Sequence, residues 1–151
     1  MTNKSSSAEQ QLAGRIVFDK LKEELNINDL ISNPNLILNS NPFVFIIPDF
    51  YSESAGVIGE IHAHIGRMKP SQSHKIATDV LKMLLFEKDR KTKLRKIVAV
   101  CSEEEKNQLE GQSYLAEAIR QFSIEVMLVD IGEELYSSLE KAQERQKMIN
   151  A

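Results

Sequence analysis

Four stretches of the chain carry apolar residues at three- and four-residue spacing, which is typical of helices that bury one face. They cover residues 8–25, 71–89, 102–122 and 133–148, and Gly111 is a point of interruption in the third. We therefore predict four main helices. The apolar residues predicted to face inward are Leu12, Ile16, Val17, Leu21 and Leu25 in the first helix, Ile76, Val80, Leu81, Leu84 and Leu85 in the second, and Leu109, Leu115, Ala118, Ile119 and Phe122 in the third.

Short apolar runs between the first two helical stretches predict β-strands. Residues 43–47 form one such run, which ends at Pro48 because proline cannot donate a hydrogen bond to a neighbouring strand. Residues 57–65 form the next, after a turn-bearing connection over residues 51–56. The two runs are close enough along the chain to pair as an antiparallel hairpin, and residues 36–38 are a candidate for a third short strand.

Strands and helices alternate in the second half of the chain. Residues 97–101 are a continuous apolar run, typical of a strand buried on both faces of a sheet. Residues 124–131 predict the last strand, before the closing helix. A hairpin followed by strand–helix alternation predicts an α/β protein with a mixed sheet and helices on both of its faces.

The composition is that of a single globular domain. The chain has 151 residues, of which 42% are hydrophobic and 27% are charged. We predict one domain over residues 8–151, preceded by a flexible polar tail over residues 1–7. The net charge of −3 gives no overall attraction to nucleic acid, so binding of that kind needs a local basic patch.

The segments that direct a protein out of the cytoplasm have no counterpart in this sequence. The first residues are polar and lack the apolar core of a signal peptide, and no run approaches the ~20 apolar residues of a membrane span. A single cysteine, Cys101, excludes an internal disulfide and fits a reducing compartment. We predict a soluble cytoplasmic protein.

The candidate chemistry lies around the predicted hairpin. Asp49 follows Pro48, and Glu60, His62 and His64 occupy alternate positions of the next strand. Because side chains alternate across a strand, these three share one face of the sheet. Carboxylates and imidazoles that converge at one edge of a sheet can bind a divalent metal ion, which predicts a metal-dependent hydrolytic site.

The order of these elements and motifs resembles the PD-(D/E)XK nuclease superfamily, over roughly residues 8–131. Pro48-Asp49 matches the position of the first carboxylate of that family, and Glu60-Ile61-His62 matches its acid-x-lysine motif. The resemblance implies a restriction-endonuclease-like fold, a three-layer α/β/α arrangement with a central mixed sheet of four to five strands. It also implies a nuclease that hydrolyses DNA or RNA with Mg²⁺ or Mn²⁺, bound by Asp49 and Glu60, with His62 as a further ligand.

The chain departs from the family pattern at His62, where the family has lysine. Histidine can donate a hydrogen bond, accept a proton or bind a softer metal, but it does not replace the lysine cation. Some members supply the lysine from the helix that follows the motif strand. By that resemblance, Gln72 and Lys75 are further catalytic candidates, three residues apart on one helical face.

A basic run predicts the contact with nucleic acid. Lys88, Arg90, Lys91 and Lys93 lie between the second helix and the next strand. Each cation of such a run that neutralises a phosphate adds salt-dependent affinity. A chain of this length has no separate recognition domain, so we also predict a homodimer or a subunit of a larger assembly.

Two other functions remain open. The first is a nuclease-fold protein that has lost catalysis and serves as a binding module for nucleic acid or protein, which the replacement of lysine by His62 favours. The second takes His62 and His64 as a ligand pair for Zn²⁺ or Fe²⁺ in a hydrolase. The chain is short for a (β/α)-barrel hydrolase and rich in helix for a cupin, so this option ranks third.

Overall fold

The structure is a computed structural model that describes residues 8–149 of the chain. The tail predicted for residues 1–7 and the last two residues lie outside the described part. A central mixed sheet is covered by helices on both faces, which confirms the predicted α/β class and its three layers.

The predicted helices are all present. The third is divided into two at residues 110–113, around Gly111. Within the described residues, no helix is long and apolar enough to cross a membrane. The helices are α1 (Ala8–Glu24), α2 (Pro70–Arg90), α3 (Glu103–Leu109), α4 (Tyr114–Gln121) and α5 (Glu133–Ile149).

Within residues 8–149, seven strands form two sheets. The main sheet has five strands in the order β1-β4-β5-β6-β7, and β2 and β3 form a separate two-stranded sheet. In the main sheet, β4 is antiparallel to both of its neighbours, β1 and β5. Strands β5, β6 and β7 run parallel to one another. The strands are β1 (Ile31–Ser32), β2 (Leu36–Ile37), β3 (Phe45–Ile46), β4 (Phe50–Ser52), β5 (Val57–His62), β6 (Arg95–Val100) and β7 (Ile124–Leu128).

Successive side chains of β5 point to opposite faces of the sheet, and a hydrophobic core lies on each face. Ile58 faces the core beneath α2, α3 and α4, whereas Val57 and Ile61 face the core beneath α1 and α5. The central strand β6 is buried on both faces, as its continuous apolar run predicts. Glu60 and His62 have the same parity as Ile58, so they point toward the α2 face.

The prediction that residues 43–47 form the hairpin partner of β5 is wrong. Only Phe45–Ile46 is a strand, and it pairs with β2 outside the main sheet. The partner of β5 is β4, which lies in the segment predicted to be a connection. Pro48 separates the two strands because it offers no N–H group to a ladder. Asp49 therefore precedes a strand of the main sheet instead of ending one.

Several apolar residues predicted to face inward are exposed. Leu81 is 66% exposed and Leu85 is 43% exposed, because the buried stripe of α2 runs instead through Met83 and Phe86. Apolar spacing alone does not identify the buried side of α2, because leucine occurs on both sides of this helix. Leu12 and Phe122 are likewise exposed.

The β2–β3 hairpin is tied to the end of α2 by one carboxylate. Asp89 accepts hydrogen bonds from the backbone N–H groups of Asn39 (2.7 Å) and Ser40 (2.8 Å), and from the Ser40 hydroxyl (2.6 Å). Leu38 and Ile46 then enter the core beneath α2. The turn between them carries Phe43, which is 92% exposed.

Gly59 provides a test of the packing between β4 and β5. A Cβ at Gly59 would lie 2.0 Å from the Phe50 ring and 2.7 Å from the Ile97 carbonyl oxygen. We expect Gly59→Ala to lower the free energy of unfolding by about 1–3 kcal/mol, as overpacking in a core does. Denaturant unfolding monitored by circular dichroism measures the change.

Gly14 provides the matched control. It lies within α1, and a Cβ there would meet nothing within 4 Å. Gly14→Ala should therefore raise the free energy of unfolding by about 0.5–1 kcal/mol, through helix propensity alone. Equal effects of the two substitutions would contradict the packing described for β4 and β5.

Candidate functional site

The register of β4 and β5 brings Asp49 and Glu60 together. Phe50 pairs with Gly59, so the preceding residue on β4, Asp49, comes opposite the following residue on β5, Glu60. A carboxylate oxygen of Asp49 accepts a hydrogen bond from the backbone N–H of Ile61 at 2.6 Å, which fixes the Asp49 side chain against β5. The two carboxyl groups are close enough to share a hydrogen bond when one of them holds a proton.

Glu60 is a buried carboxyl group without full compensation. It is 4% exposed, and its Oε1 atom makes no well-aligned hydrogen bond, although Lys82 Nζ lies 3.2 Å from it. Desolvation, together with the nearby carboxylates of Asp49 and Asp79, raises the pKa of Glu60 to about 9. A carboxyl group in this state takes up a proton or a cation at neutral pH.

Helix α2 contributes a third acid, Asp79, and a cation, Lys82, to this cluster. Lys82 Nζ lies 3.2 Å from Glu60 Oε1 and 3.2 Å from Asp79 Oδ1. Burial raises the pKa of Asp79 against the opposing effect of Lys82. Burial also opposes the charge of Lys82, but the two carboxylates outweigh it and raise the pKa of Lys82. Glu60 and Asp79 thus share the ammonium group of Lys82.

Four of the five predicted site residues line one cleft at the end of β5, whereas the buried Glu60 does not. Asp49, His62, Gln72 and Lys75 all border this cleft, whose volume is about 1710 Å³. Lys75 is exposed in the first turns of α2 and contributes to the field at Asp79. The structure therefore brings the candidate residues of the hairpin and of α2 to a common surface.

Gln72 has a structural role at the start of α2. Its side-chain oxygen accepts a hydrogen bond from the backbone N–H of Lys69 at 2.8 Å. This contact satisfies a donor at the helix terminus, as in a capping box. The amide nitrogen of Gln72 remains as the group that can act in the cleft.

His62 is directed toward a buried acid that the sequence did not reveal. Its Nδ1 atom contacts Oε1 of Glu105, which lies in α3 and is fully buried. Nδ1 of His64 lies 3.4 Å from the other oxygen, Oε2, of the same carboxylate. Glu105 therefore lies between both imidazoles.

The donor set around Asp49 fits a hard divalent cation through two carboxylates. Among residues 8–149, no group of three or more His, Cys, Asp or Glu side chains is arranged to hold one metal ion. The adjacent carboxyl groups of Glu60 and Asp49 nevertheless offer oxygen ligands to a cation that displaces the proton of Glu60. Mg²⁺ commonly binds to one or two carboxylates and keeps several water ligands, so the pair has the number of carboxylates that such an ion uses.

Signals for Asp79 and Glu105 were present in the sequence. Asp79 lies three residues after Ile76 and four before Met83, within the buried stripe of α2. Glu105 lies four residues before Leu109, on the buried face of α3. A charged residue within an apolar stripe needs a partner, and this rule would have identified both acids.

The basic run lies at the opposite end of the sheet from the cleft. Strands β5 and β6 are paired from Val57 and Arg95 at one end to His62 and Val100 at the other. The run ends beside Arg95, whereas the cleft lies beside His62. The guanidinium of Arg90 stacks on the Phe86 ring at 4.7 Å, and the other three cations, Lys88, Lys91 and Lys93, are exposed.

Comparison of the chain with protein-family models, curated proteins and solved structures finds no match. What the site can do chemically therefore follows from its own residues. These are a pair of carboxyl groups beside a cleft, a lysine that borders the same cleft, and two imidazoles held by a buried acid.

The pKa of Glu60 makes stability depend on pH. Native Glu60 keeps its proton up to a pH of about 9, whereas an unfolded glutamate releases it near pH 4.5. The native state thus binds the additional proton between these values, and the free energy of unfolding decreases as the pH rises through this window. In EDTA, we expect wild-type protein to lose stability relative to Glu60→Gln as the pH rises from about 5 to 9.

Glu60→Gln is the appropriate reference because its amide mimics the neutral acid and does not titrate. Urea unfolding at several pH values measures the difference between the two proteins. A difference that stays constant over this range would show that Glu60 has an ordinary pKa.

Proposed function

We propose that this protein is a metal-dependent nuclease that hydrolyses phosphodiester bonds of DNA or RNA. The observation that carries the proposal is the pair of adjacent carboxyl groups, Asp49 and Glu60, of which Asp49 borders the cleft and Glu60 is buried with a raised pKa. Such a pair attracts a hard cation, and a cation near the scissile phosphate promotes phosphodiester hydrolysis.

Asp49 and Glu60 would hold Mg²⁺ or Mn²⁺, which when bound polarises a phosphoryl oxygen and lowers the pKa of a bound water. The hydrogen bond from the Ile61 N–H keeps the Asp49 side chain in place before the ion arrives. This preorganisation reduces the cost of assembling the site.

Lys75 is the candidate for the cation that the motif lacks at position 62. Its ammonium group borders the same cleft as Asp49, whereas the Nδ1 atom of His62 is bound to Glu105. An ammonium group there can neutralise the charge that develops on the phosphate oxygens. His62 then forms part of the wall of the cleft, and the Gln72 amide can orient the substrate.

A second candidate function is a binding module that keeps this fold without catalysis. The contact of Lys82 with Glu60 and Asp79 favours it, because the ammonium group already neutralises part of the carboxylate charge. A metal ion must overcome this internal cation to bind. In such a module, the cleft and the basic run would contact nucleic acid or protein without cleavage.

We further propose a cytoplasmic protein that acts as a homodimer or as a subunit of a larger assembly. The single cysteine is free and buried, which suits a reducing compartment. An additional subunit would supply the recognition surface that one small domain lacks.

The nuclease proposal predicts metal-dependent cleavage that needs both carboxylates. We expect wild-type protein with Mg²⁺ or Mn²⁺ to cleave single- or double-stranded DNA or RNA, and Asp49→Asn or Glu60→Gln to reduce the rate by about 100-fold or more. Gel assays with end-labelled substrates, each with an EDTA control, measure the rate.

Glu133→Gln is a matched control because Glu133 is exposed and does not border the cleft. It should cleave at the wild-type rate. Cleavage that persists in EDTA, or that is equally fast in Asp49→Asn and Glu60→Gln, would contradict the nuclease proposal. Metal-insensitive binding without cleavage would favour the binding module.

The basic run predicts a salt-dependent contact with phosphate. Each phosphate contact adds about 0.9 to the slope of log affinity against log salt for duplex DNA and about 0.7 for single strands. We expect Lys88→Ala combined with Lys93→Ala to weaken binding and to reduce this slope by about one to two. Fluorescence anisotropy at several salt concentrations, in EDTA, measures both quantities.

Lys141→Ala is the control for this measurement, because Lys141 is equally exposed but lies on α5. It should leave the slope unchanged. If the combined variant has the wild-type slope, the run does not contact nucleic acid.

A further inference from the structure

The cluster of His62, His64 and Glu105 has a geometry that the nuclease proposal does not require. All three residues are buried, and both histidines border the cleft. The two imidazole rings lie 6.0 Å apart between centroids. Glu105 contacts the Nδ1 atom of each ring, through a different carboxylate oxygen.

Glu105 is held in position by the start of α3. Ser102 is the N-cap residue, and its hydroxyl accepts a hydrogen bond from the backbone N–H of Glu105 at 3.1 Å. In a capping box, the glutamate at this position would reach back to the N-cap N–H. Here the carboxylate reaches β5 instead and contacts His62.

The contacts with Glu105 determine which imidazole nitrogen faces the cleft. When Nδ1–H donates to a carboxylate, Nε2 carries the lone pair and is the atom that can bind a metal. Among the described residues, the buried polar atoms without a partner include Nδ1 of His64 but neither Nε2 atom. No hydrogen bond within the described part engages either Nε2, and both histidines line the cleft.

The contact of His64 with Glu105 is incomplete. At 3.4 Å, it is longer than an ordinary hydrogen bond, and both Nδ1 of His64 and Oε2 of Glu105 lack partners. Two unsatisfied buried atoms that face each other are costly. A cation bound at Nε2 would make the Nδ1–H group of His64 a stronger donor toward Oε2 of Glu105.

We propose that Nε2 of His62 and Nε2 of His64 form a binding site for a borderline transition-metal ion such as Zn²⁺, with water in the remaining positions. Nitrogen ligands select Zn²⁺ and similar ions over Mg²⁺, which prefers oxygen. The site is thus distinct from the carboxylate pair in its ligands and in its metal. Glu105 orients the ligands, as carboxylates behind metal-bound histidines do.

Titration of metal-free protein with ZnCl₂, followed by isothermal titration calorimetry, tests the site. We expect one equivalent to bind to wild-type protein, and His62→Ala and His64→Ala each to abolish binding. Glu105→Gln should lower the affinity about 10- to 100-fold while both histidines remain, which is the effect of losing a partner behind the ligands.

The third histidine of the chain is the matched control. His74 is exposed on α2, so His74→Ala should bind Zn²⁺ as the wild type does. Asp49→Asn should also retain Zn²⁺ binding, which separates this inference from the nuclease proposal. Equal loss of binding in His74→Ala, or binding that survives in both His62→Ala and His64→Ala, would overturn it.

A measurement on wild-type protein keeps the test valid if a variant does not fold. The imidazole ¹⁵N signals of the three histidines can be followed during addition of ZnCl₂. We expect the Nε2 signals of two histidines to shift together up to one equivalent, while those of the third remain unchanged. Absence of any shift in Nε2 signals would show that the cluster is only a buried polar network.

Discussion

The antiparallel pairing of β4 with β5 is the constraint on which the candidate site depends. Because Phe50 lies opposite Gly59, Asp49 comes opposite Glu60 without any further adjustment of the chain. The absence of a side chain at Gly59 lets the Phe50 ring lie over this strand. The same contact that fills the core beneath α1 and α5 therefore also sets the position of the acid pair.

Charge at the site is balanced only in part. Glu60, Asp49 and Asp79 are close enough to influence one another, and Lys82 is the cation that contacts the cluster within the described residues. Burial makes an excess of negative charge costly, and this cost raises the pKa of Glu60. A site of this kind is poised between binding a proton and binding a metal ion.

The sequence predicts the helices and strands whose apolar residues recur at a regular spacing, and the polar residues that interrupt this spacing. The helices and β6 were predicted correctly because apolar spacing alone determines them. The partner of β5 was not, because residues 50–52 are too short a run to distinguish from a turn, and their pairing depends on contacts distant in sequence.

The candidate site shows the same division. Asp49 and Glu60 were found from their place beside apolar runs. Glu105 was missed because three glutamates follow Ser102, and only the four-residue spacing to Leu109 distinguishes the one on the buried face of α3. The contact between Lys82 and Glu60 likewise depends on how α2 lies over the sheet.

The short turn between β4 and β5 has a consequence for how this protein can change over evolution. The Ser52 hydroxyl donates to Asp29 at 2.7 Å and accepts from the Ala55 N–H at 3.1 Å, and Gly56 adopts a positive φ of 63°. An insertion of one residue that slipped β5 along β4 would turn Glu60 to the opposite face of the sheet. Homologous chains should therefore keep the length of this turn, whereas the β2–β3 turn is free to lengthen, since it joins strands outside the main sheet.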